Sequence, residues 1–263
     1  MRMNRTRERL LAGQIVTGLA LQQLRSAEIP RLLAAAGFDY LFIDTEHGGF
    51  DMETVQDMIS AAILAGITPF VRVCELRYSL VARALDVGAQ GIILPRVEEP
   101  ELLREAISWT KFPPAGTRGF GVSPLLLDYQ ARTLPEVIEH FNAQTMSIVQ
   151  FETLTALERA NELLAIPGVD VAMIGPTDLS ISLGLPGEFE HPELVAVIER
   201  FVTTCEQYGV TPGIHSRTPA LAKAWPRRGM RLVGCGSEVT LLLERAQQVV
   251  AEMRGAATAA TQA

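Results

Sequence analysis

Lysine is nearly absent from this chain: Lys111 and Lys223 are the only two, and neither ends an apolar, β-rich run. Schiff-base chemistry therefore has no evident carrier. Cysteine is scarce too. Cys74, Cys205 and Cys235 are odd in number and show no CxxC spacing, which argues against a disulfide framework or a thiolate zinc site and predicts three reduced thiols, two of them buried as small apolar residues. Mean hydropathy is slightly positive at +0.19, yet no run of about 18 apolar residues exists, so no membrane partner is expected. The start, MRMNRTRERLLAGQ, is basic but lacks the apolar stretch and small-residue cleavage site of a secretory signal, and a cytoplasmic location is expected. Neither GxGxxG nor GxxxxGK[ST] occurs, which disfavours nucleotide cofactors. Basic charge is in the minority: 23 Lys and Arg face 30 Asp and Glu, a formal net charge of −7 with a pI near 5.2. Nucleic-acid affinity rests on clustered Lys and Arg, so no nucleic-acid partner is expected.

What the 263 residues do contain is alternation. Short apolar runs recur at QIVTGLAL (14–21), YLFIDTE (40–46), PFVRVC (69–74), GIILPRV (91–97), SIVQFE (147–152), DVAMIGP (170–176), VTPGIHS (210–216) and MRLVGCGS (230–237). Continuous apolar runs are what strands buried on both faces of a parallel sheet show. Between them lie segments with helical spacing, such as Val55, Met58, Ile59 and Ile63, several closed by a glycine as helix C-termini prefer. Eight strand–helix units in this length predict an α/β fold, a single (β/α)8 TIM barrel spanning 1–263, although an open doubly wound sheet uses the same alternation. The last ten residues, RGAATAATQA (254–263), read as a flexible tail. The longest connection, from Phe112 to Thr145, carries FPPAGTRGFG and then a helix near Leu134–Phe141, and connections of that length are usually functional or disordered.

In such a barrel, chemistry sits at the C-terminal ends of the strands. Asp44, Glu46 and His47 follow strand two, Arg72 ends strand three, Pro95 and Arg96 strand four, Gln150 and Glu152 strand five, Gly175, Pro176 and Asp178 strand six, and His215 and Ser216 strand seven. Charged groups in apolar strands are costly unless paired or metal-bound. Glu152 and Asp178 close neighbouring strands and could share a hard divalent cation. Spacing leaves open the alternative that Glu152 pairs with Arg72 and Asp178 caps the next helix. In IGPTDLS, Pro176 suits a helix start, and the Thr177 and Asp178 amides would face an anion or belong to an ordinary capped helix. His47 precedes Gly48 and Gly49, which let a loop bend close to a ligand, and Asp86 could hold its imidazole in one tautomer. His140 and His191 read as solvated, and His215 as either pocket lining or a satisfied structural histidine.

Taken in order, FDYLFIDTEHGG, PFVRV, LDVGAQGIILPRV, FPPAGTRG, VQFET, GVDVAMIGPTDLSISLG with HPEL, and GSEVTLL resemble the HpcH/HpaI aldolase/citrate lyase family, in its 4-hydroxy-2-oxoheptanedioate aldolase branch, from residue 14 to about 245. The resemblance implies a class II, pyruvate-dependent aldolase on a modified TIM barrel, assembled as a homo-hexamer, a dimer of trimers. It implies Glu152 and Asp178 as ligands of a divalent metal (Mg2+, Mn2+ or Co2+), Arg72 on the pyruvate keto oxygen, and a His47–Asp86 pair. Asp44 matches a further acidic site residue, Gln150 a polar pocket residue, and Gly175, Pro176, Thr177 and Asp178 the turn that binds the substrate carboxylate. The expected substrates are pyruvate and an aldehyde.

Three features depart from the family pattern. His215 stands where relatives of the branch tend to be apolar and is expected to contact the acceptor's distal end. The loop FGVSPLLLDYQAR (120–132) lacks the usual small and basic run, and Glu238 replaces a more usual aspartate. Two rival readings are a citrate-lyase-β-like enzyme cleaving a CoA thioester, which an acidic surface suits poorly, and a noncatalytic carboxylate-binding barrel.

Overall fold

The computed structural model describes residues 1–261, with side chains through Arg254. Eight strands, β1 (Val16–Leu21), β2 (Tyr40–Asp44), β3 (Thr68–Arg72), β4 (Gly91–Leu94), β5 (Met146–Phe151), β6 (Val171–Ile174), β7 (Thr211–Ser216) and β8 (Leu232–Ser237), run parallel and close into a barrel in sequence order. Each falls inside its expected apolar run or within one residue of it. Pairing of β1 with β8 shuts the cylinder, so the open-sheet alternative does not apply.

Helices surround it: α1 (Arg5–Leu11), α2 (Glu28–Ala36), α3 (Met52–Ala65), α4 (Tyr78–Asp86), α5 (Pro100–Ser108), α6 (Leu134–Gln144), α7 (Leu154–Glu158), α8 (Ala160–Leu164), α9 (Pro176–Ser182), α10 (Pro192–Tyr208), α11 (Pro219–Ala222) and α12 (Glu238–Thr261). The expected tail at 254–263 lies largely outside the residues whose side chains are described; the backbone there continues α12 to Thr261. Among the described residues, no helix is long and apolar enough to cross a membrane.

The unbroken apolar strands follow from two cores. In β2, Tyr40 and Phe42 face the barrel interior with Val16, Phe70, Ile148 and Met173, while Leu41 and Ile43 face the helices with Met58, Ile59 and Val71. Space inside is set by glycine: a Cβ on Gly18 would collide with the Tyr40 ring, and one on Gly234 would stand 2.8 Å from its hydroxyl. At the N-terminal end of the barrel, α1 acts as a plug. Leu10 joins the interior core, the Thr6 amide donates to Thr68 Oγ1 at 3.3 Å, and Asn4 Nδ2 donates to the carbonyls of Gln90 and Gln144, both at 3.0 Å. The C-terminal rim is left for ligands.

In the long connection, Arg118 is buried, its guanidinium 4.5 Å from the Phe112 ring centre and 2.8 Å from Asp86 Oδ1. A single 3-10 turn at Pro124–Leu127 precedes α6, whose start is secured by a capping box between Thr133 and Glu136. Of the three thiols, all free, only Cys205 is fully buried; Cys74 is exposed and Cys235 half-buried. Two buried thiols were expected, but Cys74 falls two residues beyond the end of β3.

Candidate active site

The register of β2 on β3 sets Asp44 beside Arg72, and this neighbour relation builds the centre of the rim. Arg72 Nε donates to Asp44 Oδ1 at 2.9 Å and Nη2 to Oδ2 at 2.6 Å, a two-pronged, charge-assisted pair. Asp44 has no exposure at all. Its carboxylate also accepts from Gln22 Nε2 (3.1 Å) and from the amides of Glu46 (3.1 Å) and His47 (3.2 Å). Burial alone would raise the Asp44 pKa, but the Arg72 hydrogen bonds and charge bring it below the ordinary carboxylate range. Burial likewise opposes the Arg72 charge, and Asp44, with Glu46 and Glu152, more than restores it.

The remaining guanidinium nitrogen, Nη1, lies 3.2 Å from Glu46 Oε2 and donates to Gln150 Oε1 at 3.4 Å. Gln150 in turn donates through Nε2 to Glu152 Oε2. The alternative reading from spacing, Glu152 paired with Arg72 and Asp178 as a cap, does not hold. Arg72 is taken by Asp44 and Glu46, and the position before α9 is Gly175, with no side-chain cap.

A cavity of about 320 Å3 opens over this network, lined by His47, Arg72, Gln150, Gly175, Pro176, Thr177, Asp178 and His215 among others. Asp44 lies beneath it. His47 is 58% exposed at the mouth, its Nε2 3.9 Å from Glu46 Oε2. Gly48 follows because nothing larger fits: a Cβ there would collide with the Asp44 carbonyl and stand 2.9 Å from that of Gln22. The bend expected at this glycine thus packs against the chain's own backbone. Pro176 occupies the first helical position of α9, and the first-turn amides of Thr177 and Asp178 have no carbonyl inside the helix to bond.

Asp86 is not brought here. It ends α4, and four residues later the Gln90 amide donates to the Pro69 carbonyl near the start of β3, at the barrel end opposite His47. Its carboxylate accepts from Arg118 Nη2 at 2.8 Å. The expected His47–Asp86 contact therefore does not form within the chain, and the carboxylate within 4 Å of the His47 imidazole is that of Glu46. Arg96, also expected at the rim, adopts a left-handed backbone (φ 52°) and is not among the cavity-lining residues.

His215 is pocket lining, and it is not a fully satisfied structural histidine, because its Nδ1 is buried without a hydrogen-bond partner. It lines the cavity, packs edge-on to Phe42 with ring centres 4.9 Å apart, and has Nε2 3.0 Å from the Gly236 carbonyl. Burial pushes its pKa down to about 4, so the ring is neutral at physiological pH. Glu238, noted only as a departure, has a structural task. Its carboxylate accepts from the amides of Gln22, Gln23 and Leu24, the Gln23 bond measuring 2.6 Å, and so pins the loop after β1.

The donor set suits a hard divalent cation. Glu152 is 4% exposed, and burial together with the charge of Asp178 raises its pKa, an unfavourable arrangement that a cation between the two would relieve. Glu46 Oε2 is buried with no hydrogen bond, despite its ion pair with Arg72. Gly175 completes a cradle: a Cβ there would stand 3.1 Å from Gln150 Nε2 and from Glu152 Oε2. Among the described residues no group of three or more His, Cys, Asp or Glu is placed to hold a metal ion by itself; two carboxylates would leave the remaining positions of such an ion to solvent or substrate.

The profile of the HpcH/HpaI aldolase/citrate lyase family matches residues 22–244. The 4-hydroxy-2-oxo-heptane-1,7-dioate aldolase of Escherichia coli is 36% identical over 250 residues, 95% of each chain. Among solved structures, an HpcH/HpaI aldolase from Desulfitobacterium hafniense superposes with a TM-score of 0.89 at 30% identity, covering 94% of this chain and 95% of that one. A protein of the same family from Burkholderia cenocepacia gives 0.87 at 33% identity, covering 95% and 99%.

Proposed function

The chain belongs to the HpcH/HpaI aldolase/citrate lyase family, and from that premise we propose that it is a class II aldolase that cleaves 4-hydroxy-2-oxo acids to pyruvate and an aldehyde and forms them in reverse. The observation that carries this reading is the continuous network Asp44–Arg72–Gln150–Glu152, with Asp178 beside Glu152 on the same rim. Glu152 and Asp178 are the residues that would hold a Mg2+, Mn2+ or Co2+ ion, which when bound supplies Lewis-acid charge to the pyruvate oxygens.

The rest of the chemistry falls to the chain's own groups. Gly175 and Pro176 shape the turn whose Thr177 and Asp178 amides receive the substrate carboxylate. Arg72, locked in orientation by Asp44, lines the cavity and presents its guanidinium to the keto oxygen, where negative charge grows as the C3–C4 bond breaks. Gln150 sits between Arg72 and Glu152 and ties the two together. His47 takes the proton of the C4 hydroxyl, the C3–C4 electron pair moves toward the keto carbonyl, and the aldehyde departs; protonation at C3 then yields pyruvate. Glu46 Oε2 lies 3.9 Å from His47 Nε2.

Assembly as a dimer of trimers belongs to the same reading and is supported by the exposed apolar side chains of α12, Leu242, Leu243 and Met253 at 60%, 55% and 69%. A cytoplasmic location accords with three free thiols. The test is pyruvate release from a panel of 4-hydroxy-2-oxo acids in the presence of Mg2+ or Mn2+, followed through lactate dehydrogenase. Release from at least one is expected, and none from any would refute the reaction class.

A further inference from the structure

Glu238 stands on a firm base: α12 opens with a reciprocal cap, the Ser237 amide donating to Thr240 Oγ1 at 2.9 Å and the Thr240 amide to Ser237 Oγ at 3.4 Å. From there its buried carboxylate gathers three successive amides of the loop after β1, those of Gln22 (3.0 Å), Gln23 (2.6 Å) and Leu24 (2.9 Å). Consecutive N–H groups closed around an anion make a nest, and bonds to an ionised acceptor are about twice as strong as neutral ones. The loop's outward contacts all go to the reacting side of the rim. Gln22 lines the catalytic cavity and donates from Nε2 to Asp44 Oδ2 at 3.1 Å, the same oxygen that accepts from Arg72 Nη2 at 2.6 Å. Its carbonyl abuts the turn that carries His47, since a Cβ on Gly48 would stand 2.9 Å from it, and Arg25 donates to the Gly49 carbonyl. Glu152 and Asp178 lie across the barrel, after β5 and in the first turn of α9.

We infer that Glu238 is a positioning residue for the reaction: by fixing Gln22 it holds Asp44, and through Asp44 it holds the Arg72 guanidinium in the orientation that the keto oxygen requires. Its effect on rate rests on the aldolase reading above, whereas its hold on Arg72 does not. The relay runs Glu238, Gln22, Asp44, Arg72, and each link is a hydrogen bond within 3.1 Å.

Glu238→Gln keeps the shape but sets an NH2 against the amides, so that one of the nest's donors meets a donor. In protein labelled with 15N-arginine, the Arg72 Nε–H signal, identified by its loss in Arg72→Lys, should exchange with solvent about tenfold faster or more in Glu238→Gln, the scale of one hydrogen bond to a charged group. The kcat for pyruvate release should fall about ten- to a hundredfold, as a small misplacement of a catalytic group does, while Mn2+ affinity in a titration stays within about twofold of wild type, as independent sites should. In an Arg72→Ala background the same substitution should lower kcat by no more than about twofold, because the group it positions is already gone. Unchanged Arg72 exchange overturns the inference. So do losses that multiply in the double variant, or Mn2+ affinity that falls in step with kcat, since either marks a general loosening of the rim. Should Glu238→Gln not fold, Gln22→Leu leaves the nest intact and breaks the relay at its next link, with the same three readouts and the same outcomes. Faster Arg72 exchange in the variant, beside a wild type that releases no pyruvate, would support the hold on Arg72 and count against the aldolase reading instead.

Discussion

Asp44→Asn probes the rim at its most connected point with almost no change of shape. Asp44 accepts five hydrogen bonds: Oδ1 from Arg72 Nε and the Glu46 and His47 amides, Oδ2 from Arg72 Nη2 and Gln22 Nε2. Asparagine keeps one acceptor oxygen. Its other terminus is an NH2 that must face donors, so with the oxygen on the Oδ1 side, Arg72 Nη2 and Gln22 Nε2 both lose their partner. Each unsatisfied buried donor costs about 1–3 kcal/mol, and breaking one half of a buried ion pair costs about 3–5 kcal/mol in all. Glu46 still faces Arg72, which places the expected loss toward the lower end. Arg72 should swing toward Glu46, leaving the keto-oxygen position, with a fall in kcat of about 10²–10³. Urea unfolding measures the first quantity and coupled pyruvate release the second. A variant destabilised by less than about 1 kcal/mol with kcat intact would refute the claim that Asp44 holds Arg72 in its working orientation.

Two smaller tests bear on neighbouring features. Gly175→Ala would press a methyl group on Gln150 and Glu152 at 3.1 Å; we expect weaker Mn2+ binding in a titration with circular dichroism unchanged, and unaltered affinity would show that the cradle is not needed. His215 has a folded pKa near 4 against an ordinary 6.5, so the unfolded chain binds the extra proton first. Its contribution to stability is complete above about pH 6.5 and is lost as pH falls toward 4, amounting to at most about 3 kcal/mol. In His215→Leu, the slope of unfolding free energy against pH across that window should flatten, and an unchanged slope would mean another group is responsible.

The barrel was legible because burial on both faces writes itself as unbroken apolar runs, and the eight runs match the eight strands closely. The rim was legible residue by residue, since charged groups at the ends of such runs stand out. What did not show was who holds whom. The Asp44–Arg72 pair depends on the register of β2 against β3, which no spacing along the chain encodes, and the alternative partner considered for Arg72, Glu152, is bonded to Gln150. Asp86 was placed near His47 by motif order, but order does not say which end of a helix a residue occupies. Glu46 was visible in IDTEHGG without a role, because its burial depends on Arg72 arriving from another strand. Glu238 gave no signal as an anchor, since its three amide partners lie more than 200 residues away.

The central claim, that Glu152 and Asp178 hold a divalent ion on which the reaction depends, is tested most directly by stripping the protein with a chelator, removing the chelator, and assaying pyruvate release before and after adding back Mn2+ or Mg2+. The account predicts loss of activity on stripping, recovery on reloading, and no recovery in Glu152→Gln or Asp178→Asn. Full activity in the stripped protein would contradict it.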